Sequence, residues 1–469
     1  MSSGRRSGAR RLALALALAA LSACTSQGGA AAPPEDAAGG LAAPTPSAPD
    51  EELGEDTDSE AAAAGEQEVS PPPYTPRPED LVEPRQPIED PSGEALAHFY
   101  DALARTDAGA PELTRVAHFG DSSIGLDGLP HAIRKRMQAR FGDGGAGFVL
   151  IHEYSRNVSS RVVKRRAGEG WNTCYIAYDC KKDGEYGYGG HVFQGGRGAV
   201  SEIATLDRGD LSTSASRLEL WYAAWPRGGR ASLQVDGAAP VVLETRADAL
   251  EDRWHEIDLD AGPHKVTLRG EGQGTLRAYG LVLEEDGPGV VWDTMSMIGA
   301  FTRRLFLFSP NHIARQVAHR DPHLIVFNYG GNDLRRFVSR GVSPERFKEE
   351  MRVAYQKIRA GKPEASCLVV SVIDHGRSGI RTVEARHVDA VVDAQREVAF
   401  ELGCGFFNSL EAMGGPRSIY KWRAARPTLA SPDLKHLSER GRDLMGGMIY
   451  EALVAGYVAH RRAAASPPA

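Results

Sequence analysis

The sequence predicts an α/β protein with a parallel sheet, an inserted β-sandwich and a disordered N-terminal tether. From Ser92 onward, helical and strand-like segments alternate, as in a parallel sheet covered on both faces. Between residues 166 and 287, short strand-like runs separated by turn signals replace this alternation. Before residue 89, Ala, Pro, Gly and acidic residues dominate. The predicted segments are 1–24, 25–88, 89–165, 166–287 and 288–462.

The first segment has the features of an export signal. A basic start precedes a Leu/Ala run too short to favour a spanning helix. The run ends in Leu21-Ser-Ala-Cys24, which looks like a lipobox with Cys24 as the lipidated residue. We therefore expect an exported protein, anchored by lipid in a bacterial cell envelope (periplasm or outer membrane). An ordinary secretory signal that contains a cysteine is the alternative.

Segment 25–88 cannot bury enough apolar surface to offset the entropy of ordering, so we expect a disordered spacer. The net charge of -7 over 469 residues provides no basic field for nucleic acid. The sequence shows no zinc-type Cys/His spacing, phosphate loop or dinucleotide fingerprint. It therefore predicts no metal, no cofactor and no nucleic-acid partner.

The first chemical motif lies between two predicted helices. Apolar residues repeat at helical spacing in both: Leu96, Phe99, Tyr100 and Leu103 in the first helix, and Leu129, Ile133 and Met137 in the second. Between the helices, the strand-like run 116–119 breaks at Gly120 and leaves Asp121 and Ser122 on the following turn. Open α/β sheets carry their chemistry at this position, the carboxyl end of a strand.

The insert contains six strand-like runs, at 218–224, 232–235, 241–245, 254–259, 265–269 and 276–283. In the first of them, Leu218 and Leu220 alternate onto a core face, which leaves Trp221 and Trp225 on the opposite side. The two tryptophans are candidates for stacking on sugar rings, or are covered by the α/β domain. The nearby basic group is a solvated surface or a contact for an anionic glycan; it comprises Arg161, Lys164, Arg165 and Arg166.

Four further cysteines lie after Cys24, in the part of the chain that is predicted to fold. Cys174 and Cys180 are close in sequence, and a local disulfide is reasonable in an exported chain. Cys367 and Cys404 lie in apolar strand-like runs. For these two, buried free thiols and a second disulfide both remain open.

After the insert, helices and strands alternate again. Helices are predicted at 312–319, from Ser343-Pro344, at 388–402 and at 438–457, and strands at 323–329, 368–373 and 405–408. Two polar motifs follow these elements: Asn328-Tyr-Gly-Gly-Asn-Asp333 ends a buried strand, and Asp433-Leu-Lys-His436 precedes the last helix. A serine needs a base to become a nucleophile, and an aspartate three residues before a histidine can orient that base in a turn.

Together, the motifs at Ser122, Asn332 and His436 resemble the SGNH or GDSL hydrolase family, over about residues 92–457. The resemblance implies an SGNH-type three-layer sandwich and a serine esterase that needs no cofactor. Ser122 would be the nucleophile, His436 the base and Asp433 its orienting group. The oxyanion would be held by the N–H of Ser122, a glycine N–H and the amide of Asn332. Gly299 is the candidate glycine, with Gly147 as its competitor.

The β insert and the stretches 141–148 and 412–415 narrow the resemblance to peptidoglycan O-acetylesterases with a carbohydrate-binding-module-like insert. This resemblance implies removal of O-acetyl groups from an envelope polysaccharide, with peptidoglycan as the first candidate. Ser123 departs from the pattern, because many such relatives have histidine there. An acetyltransferase with the same residues and a non-catalytic glycan-binding lipoprotein are the alternatives.

Overall fold

The structure, a computed structural model, describes residues 74–209, 211–379 and 381–465. The predicted signal, Cys24 and most of the spacer lie outside the described residues. In the described part of the chain, no helix is both long and apolar enough to cross a membrane.

Nineteen strands lie in the described ranges. They are β1 Ile88–Glu89, β2 Leu113–Gly120, β3 Gly145–Val149, β4 Lys164–Ala167, β5 Trp171–Tyr175, β6 His191–Gly195, β7 Val200–Ala204, β8 Ala215–Ala224, β9 Arg230–Val235, β10 Val241–Glu244, β11 Glu251–Gly262, β12 Lys265–Gly272, β13 Leu276–Glu284, β14 Gly289–Ser296, β15 Leu324–Asn328, β16 Ser366–Val370, β17 Arg377–Ser378, β18 Arg381–Thr382 and β19 Gly405–Phe407.

Nine α-helices lie in the same ranges. They are α1 Ala97–Asp107, α2 Gly128–Phe141, α3 Pro310–Arg320, α4 Gly331–Arg340, α5 Pro344–Arg359, α6 Ala385–Glu401, α7 Ser409–Ala412, α8 Ser418–Ala424 and α9 Glu439–Ala464. Helix α5 begins as predicted, because the Ser343 side chain accepts a hydrogen bond from the N–H of Arg346 and proline occupies the first helical position.

A six-stranded sheet forms the centre of the α/β domain, in the order β1-β19-β16-β15-β2-β14. Its strands are parallel except for the short edge strand β1. Strands β2 and β15 are neighbours, with Gly120 opposite Asn328. The two strands therefore end level with each other, and the motifs that follow them are brought to one edge of the sheet.

Helices cover both faces of this sheet. Successive strand residues point to opposite faces, so Val116 packs in a core with α1, α2 and α9, and Ala117 packs in a core with α3, α5 and α6. The predicted three-layer α/β arrangement with a parallel sheet is confirmed.

The β module consists of two antiparallel sheets, ordered β10-β9-β12-β7-β4 and β11-β8-β13-β6-β5. Leu218, Leu220, Leu233 and Val266 are buried in one core of the module. The module includes a strand that was predicted to lie in the α/β domain, because β3, before residue 166, pairs with β13. The change from alternating helices and strands to short strands near residue 166 therefore lies inside the β module, after its first strand.

Neither Trp221 nor Trp225 has the exposed ring that stacking on a sugar would require. Trp221 is fully buried and Trp225 is 7% exposed. The Trp221 ring packs against Phe148 and against His319 of α3, and its Nε1 donates to Glu219 at 2.7 Å. The face of β8 opposite the module's core lies against the α/β domain, as the alternative interpretation required. Trp221 therefore offers no platform for a sugar ring.

Both cysteine pairs are disulfides in the structure. Cys174 is bonded to Cys180, and Cys367 at β16 is bonded to Cys404 just before β19. The local disulfide is as expected from the sequence. For the second pair, the structure selects the disulfide over two buried free thiols.

Candidate active site

The three motifs meet at the carboxyl edge of the central sheet. Ser122 begins a short 3-10 helix, Ser122–Asp127, directly after β2. Asn332 lies in the first turn of α4, just after β15. The loop before α9 brings His436 to the serine across a sequence separation of 314 residues. The register of β2 and β15 brings Ser122 and Asn332 together, and the packing of α9 against α2 brings in the loop of His436.

A chain of hydrogen bonds joins the serine, the histidine and the aspartate. Ser122 Oγ lies 2.9 Å from His436 Nε2, and His436 Nδ1 lies 2.6 Å from Asp433 Oδ2. The other carboxylate oxygen of Asp433 accepts the backbone N–H groups of Lys435 and His436, each at 3.2 Å. With Nδ1–H donated to the carboxylate, Nε2 is free to accept the serine proton.

The environment keeps Asp433 ionised. Partial burial alone would raise its pKa, but the hydrogen bond from His436 and the two backbone donors outweigh burial, so the pKa of Asp433 is below its usual value. The carboxylate can therefore stabilise an imidazolium on His436.

The candidate oxyanion donors surround the turn after β2. Asn332 Nδ2 donates to Asp121 Oδ2 at 3.2 Å and to the carbonyl oxygen of Ala300 at 3.0 Å. Gly299 immediately precedes Ala300 and has a positive φ of 77°. Within the described part of the chain, the backbone N–H groups of Ser122 and Gly299 donate to no other group. An oxyanion would have to share or replace one of the two present acceptors of the Asn332 amide.

The competing glycine lies elsewhere. Gly147 is paired with Leu283 in the β module, and a Cβ added to it would lie 2.3 Å from an oxygen of Asp293. Neither Gly147 nor Gly299 is among the residues that border the pocket in front of Ser122. Gly299 is next to the carbonyl that accepts from Asn332, so it is the better placed of the two.

Buried aspartates hold the turns of the site together. Asp121 accepts the N–H of Ser123 at 2.8 Å, and burial raises the pKa of Asp121. Burial also raises the pKa of Asp333 to about 6, although Asp333 accepts both the N–H and the hydroxyl of Thr302. The bond to Thr302 ties the loop of Gly299 to α4.

Ser123, the residue that departs from the family pattern, points into the protein. Its Oγ donates to the backbone and side-chain oxygens of Asn328, at 3.1 and 3.2 Å. The hydroxyl thereby fastens the turn of Ser122 to the end of β15.

Comparison with known families agrees with this arrangement. The model of the GDSL-like lipase/acylhydrolase family matches residues 266–444, which include Asn332, Asp433 and His436. The match covers the end of the β module and most of the α/β domain that follows it, and it does not reach Ser122. It supports an ester hydrolase, and no curated protein sequence matches the chain.

Solved structures resemble the hydrolase to different extents. One described as a peptidoglycan O-acetylesterase in action has a TM-score of 0.66 at 19% identity, over 79% of this chain and 99% of that chain. A lipase/acylhydrolase from Enterococcus faecalis has a TM-score of 0.28 at 18% identity, over 36% and 77% of the two chains. A family two carbohydrate esterase from Cellvibrio japonicus has a TM-score of 0.27 at 11% identity, over 63% and 99%. The first likeness establishes a shared fold.

Four basic residues of the hydrolase pocket were not identified from the sequence: Arg335, His375, Arg377 and Lys435. Sequence signals could have found two of them. Lys435 lies inside the motif of Asp433 and His436, and His375 follows β16, whose carboxyl end is at the same edge as that of β15. The rule that located Ser122 therefore applies equally to His375.

His375 presents an uncharged ring to the pocket. Burial, helped by the nearby His436 and Lys435 and opposed by the hydrogen bond to Ile373, lowers the pKa of His375 to about 4. Its Nδ1 donates to the carbonyl oxygen of Ile373 at 2.9 Å. Nε2 is therefore an unprotonated acceptor near neutral pH.

One group outside the pocket has the spacing of a metal site. Ligand atoms of Glu185, Asp252 and His312 lie within 4.8 Å of one another. However, His312 Nε2 accepts the N–H of Gly187 at 2.8 Å, so the proton of the neutral ring is on Nδ1, next to Asp252. A metal ligand needs a free lone pair, and this ring has none to offer. The group is better explained as a contact between α3 and the β module, in which His312 is hydrogen-bonded to Asp252 and Arg315 forms an ion pair with the same carboxylate.

Proposed function

We propose that the hydrolase is a serine esterase that removes O-acetyl groups from an envelope polysaccharide, with peptidoglycan as the first candidate. The observation that carries this proposal is the hydrogen-bonded chain from Asp433 through His436 to Ser122, which ends at an open pocket. The fold shared with a protein described as a peptidoglycan O-acetylesterase supports the choice of substrate.

In the first half of the reaction, Ser122 Oγ attacks the acetyl carbonyl carbon while His436 Nε2 takes the hydroxyl proton. Asp433 remains ionised and stabilises the imidazolium. The tetrahedral intermediate collapses when the sugar oxygen leaves, and that oxygen receives the proton from His436. The acetyl group is then covalently bound to Ser122.

In the second half, water replaces the sugar. His436 takes a proton from the water, the resulting hydroxide attacks the acetyl carbon, and collapse releases acetate and returns the proton to Ser122. In both halves, the N–H groups of Ser122 and Gly299 and the amide of Asn332 stabilise the oxyanion. Preorganised donors of this kind usually make the largest contribution to catalysis of acyl transfer.

The proposed location follows from the sequence. Lipidation at Cys24 would anchor the chain in the envelope, and the acidic spacer 25–88 would extend the enzyme towards a polymer. Growth with labelled palmitate should label the parent chain and not a Cys24→Ala variant. Equal labelling of both chains would refute the anchor.

Acetate release from O-acetylated peptidoglycan tests the function. The parent and a variant of an exposed serine outside the pocket, Ser92→Ala, should release acetate, whereas Ser122→Ala should not. Equal release by the parent and Ser122→Ala would refute the role of Ser122. If acetyl groups instead move to added chito-oligosaccharide only when Ser122 is present, the protein is an acetyltransferase. If the parent binds glycan and moves no acetyl group at all, it is a glycan-binding lipoprotein.

A further inference from the structure

Three basic side chains border the pocket of Ser122. Arg335 is on α4, Arg377 is on the β17–β18 hairpin, and Lys435 is on the loop of the catalytic histidine. The hairpin is held beside this loop, because the N–H of Gly376 donates to the carbonyl oxygen of Leu434 at 2.8 Å. Three separate elements thus bring positive charge to one cavity.

These cations lack acidic partners. No carboxylate in the described ranges forms an ion pair with the side chain of Arg335, Arg377 or Lys435. Of the residues that border the pocket, only Asp121 is acidic, and it is buried and hydrogen-bonded to Ser123 and Asn332.

Several basic residues near the pocket or singled out from the sequence are paired with carboxylates. Arg336, next to Arg335, is bonded to Glu350 and Asp333. In the basic group predicted as a possible glycan contact, Arg161 is paired with Glu439, and Lys164 is paired with Asp207. The charges of Arg336, Arg161 and Lys164 are therefore balanced by carboxylates, whereas those of the three basic residues at the pocket are not.

A buried acceptor faces the same cavity. His375 is 7% exposed and borders the pocket, and its Nε2 forms no hydrogen bond with any described residue. A Cβ added to Gly331, which also borders the pocket, would lie 3.4 Å from this atom. An acceptor that is open to a pocket and has no partner inside the protein is available to a ligand or water.

We propose that the pocket recognises a carboxylate carried close to the acetyl ester, so that the substrate is the ester of an acidic glycan unit. Arg335, Arg377 and Lys435 bind the carboxylate, and His375 Nε2 accepts a hydrogen bond from a hydroxyl or amide N–H of the same unit. This inference rests on the proposed function. The carboxylate belongs either to the sugar itself or to a peptide attached to it, and both sources offer the same chemistry to arginine and lysine.

Matched substrates separate charge from shape. We would compare 6-O-acetyl-N-acetylmuramic acid, its uncharged lactyl amide, and its dipeptide derivative, in which the carboxylate is on the peptide. The parent should have a kcat/KM about tenfold or more higher for a charged ester than for the lactyl amide, as expected for a charge-assisted hydrogen bond. The better of the two charged esters identifies the source. Added salt should reduce the preference.

Substitutions on the exposed hairpin test the residues. Arg377→Gln should reduce the ratio of kcat/KM for charged over neutral ester about tenfold, and Arg377→Lys should restore most of it. Arg440→Gln removes an exposed charge outside the pocket and should leave the ratio unchanged. His375→Ala should raise KM for all three sugars without changing the ratio. Equal rates of the parent on charged and neutral esters, or an equal loss on both in Arg377→Gln, would overturn the inference.

Binding distinguishes failure of this inference from failure of the proposed function. Calorimetry with Ser122→Ala protein and free N-acetylmuramic acid needs no turnover. The acid should bind about tenfold more tightly than its amide, and the additional change Arg377→Gln should abolish the difference. If the parent deacetylates no sugar yet this difference is found, only the proposed reaction fails. Equal affinity for acid and amide refutes the carboxylate site whatever the enzyme hydrolyses.

Discussion

Replacing Asp433 by asparagine should harm the reaction more than replacing it by alanine. The asparagine oxygen can still accept the backbone N–H groups of Lys435 and His436, as the carboxylate does at 3.2 Å. Its NH2 group then takes the place of the carboxylate oxygen Oδ2, to which His436 Nδ1 now donates a hydrogen bond at 2.6 Å. The ring must accept from this group, so its proton moves to Nε2, which can no longer take the proton of Ser122.

The exposure of Asp433 sets the size of this effect. With a buried aspartate, the corresponding change in a serine protease lowers kcat about 10⁴-fold. The Asp433 side chain is 41% exposed, so water can partly take over its role. We therefore expect a loss of about 10³-fold in Asp433→Asn and about 10²-fold in Asp433→Ala, where water can accept from Nδ1 and no misplaced donor fixes the tautomer.

Initial rates of 4-nitrophenyl acetate hydrolysis at pH 7.5 would measure the order of the two variants. Thermal unfolding provides the control, because Asp433→Asn retains the backbone bonds and should unfold closer to the parent than Asp433→Ala does. If Asp433→Asn is as active as Asp433→Ala, or more active, the asparagine does not fix the wrong tautomer of His436.

Three further substitutions test other parts of the structure. Asn332→Ala should lower kcat about a hundred- to thousandfold through loss of an oxyanion donor, and a loss below tenfold would remove Asn332 from that role. Because burial raises the pKa of Asp333 from 3.8 to about 6, its contribution to stability is fully present below pH 3.8 and is lost as pH rises through 6. In urea denaturation, the free energy of unfolding of the parent should therefore fall by up to about 3 kcal/mol relative to that of Asp333→Asn between pH 3.5 and 7. A difference between the two proteins that does not change with pH would refute this. Trp221→Ala should lower the free energy of unfolding by about 3–5 kcal/mol, whereas an unchanged Tm with weaker polymer binding would restore the sugar-platform interpretation.

The fold and the meeting of the motifs could be predicted because they depend on local patterns. The run before Gly120 and the run ending at Asn328 are both buried strands, and parallel strands bring their carboxyl ends to one edge. That edge rule does not depend on loop detail. The histidine came from its spacing to Asp433 and from the family resemblance.

The remaining features depend on contacts between distant segments. Alternation in β8 correctly separated Leu220 from Trp221, but no local pattern shows that α3 covers the second face. Likewise, the unpaired charges of Arg335 and Arg377 are visible only when their elements come together at the pocket. A single sequence shows which residues are charged, but it does not show which carboxylates, if any, lie next to them in the folded protein.

The contacts between the β module and the α/β domain determine how the module can be studied. Phe119, three residues before Ser122, packs edge-on against Tyr188 of the inserted region, at 5.6 Å between ring centroids. Buried Arg320 of α3 is paired with Glu284 of β13 and with Asp293 of β14, each at 2.6 Å. Removing residues 166–287 would leave Arg320 with one partner fewer, expose Phe119 and take away the strand that pairs with β3.

Loss of activity after such a deletion would therefore report misfolding of the hydrolase, whatever the module binds. A test for glycan binding has to keep the buried face of β8 and change only exposed side chains of the sheet that contains β9 and β10. Val241 and Val242 on β10 are exposed and apolar, at 39% and 47%. Replacing both by threonine leaves the contacts with the hydrolase intact. Reduced retention on peptidoglycan, with unchanged hydrolysis of a small aryl acetate, would therefore assign polymer binding to this outer sheet. Unchanged retention would mean that the module contributes by supporting the strand that carries the serine.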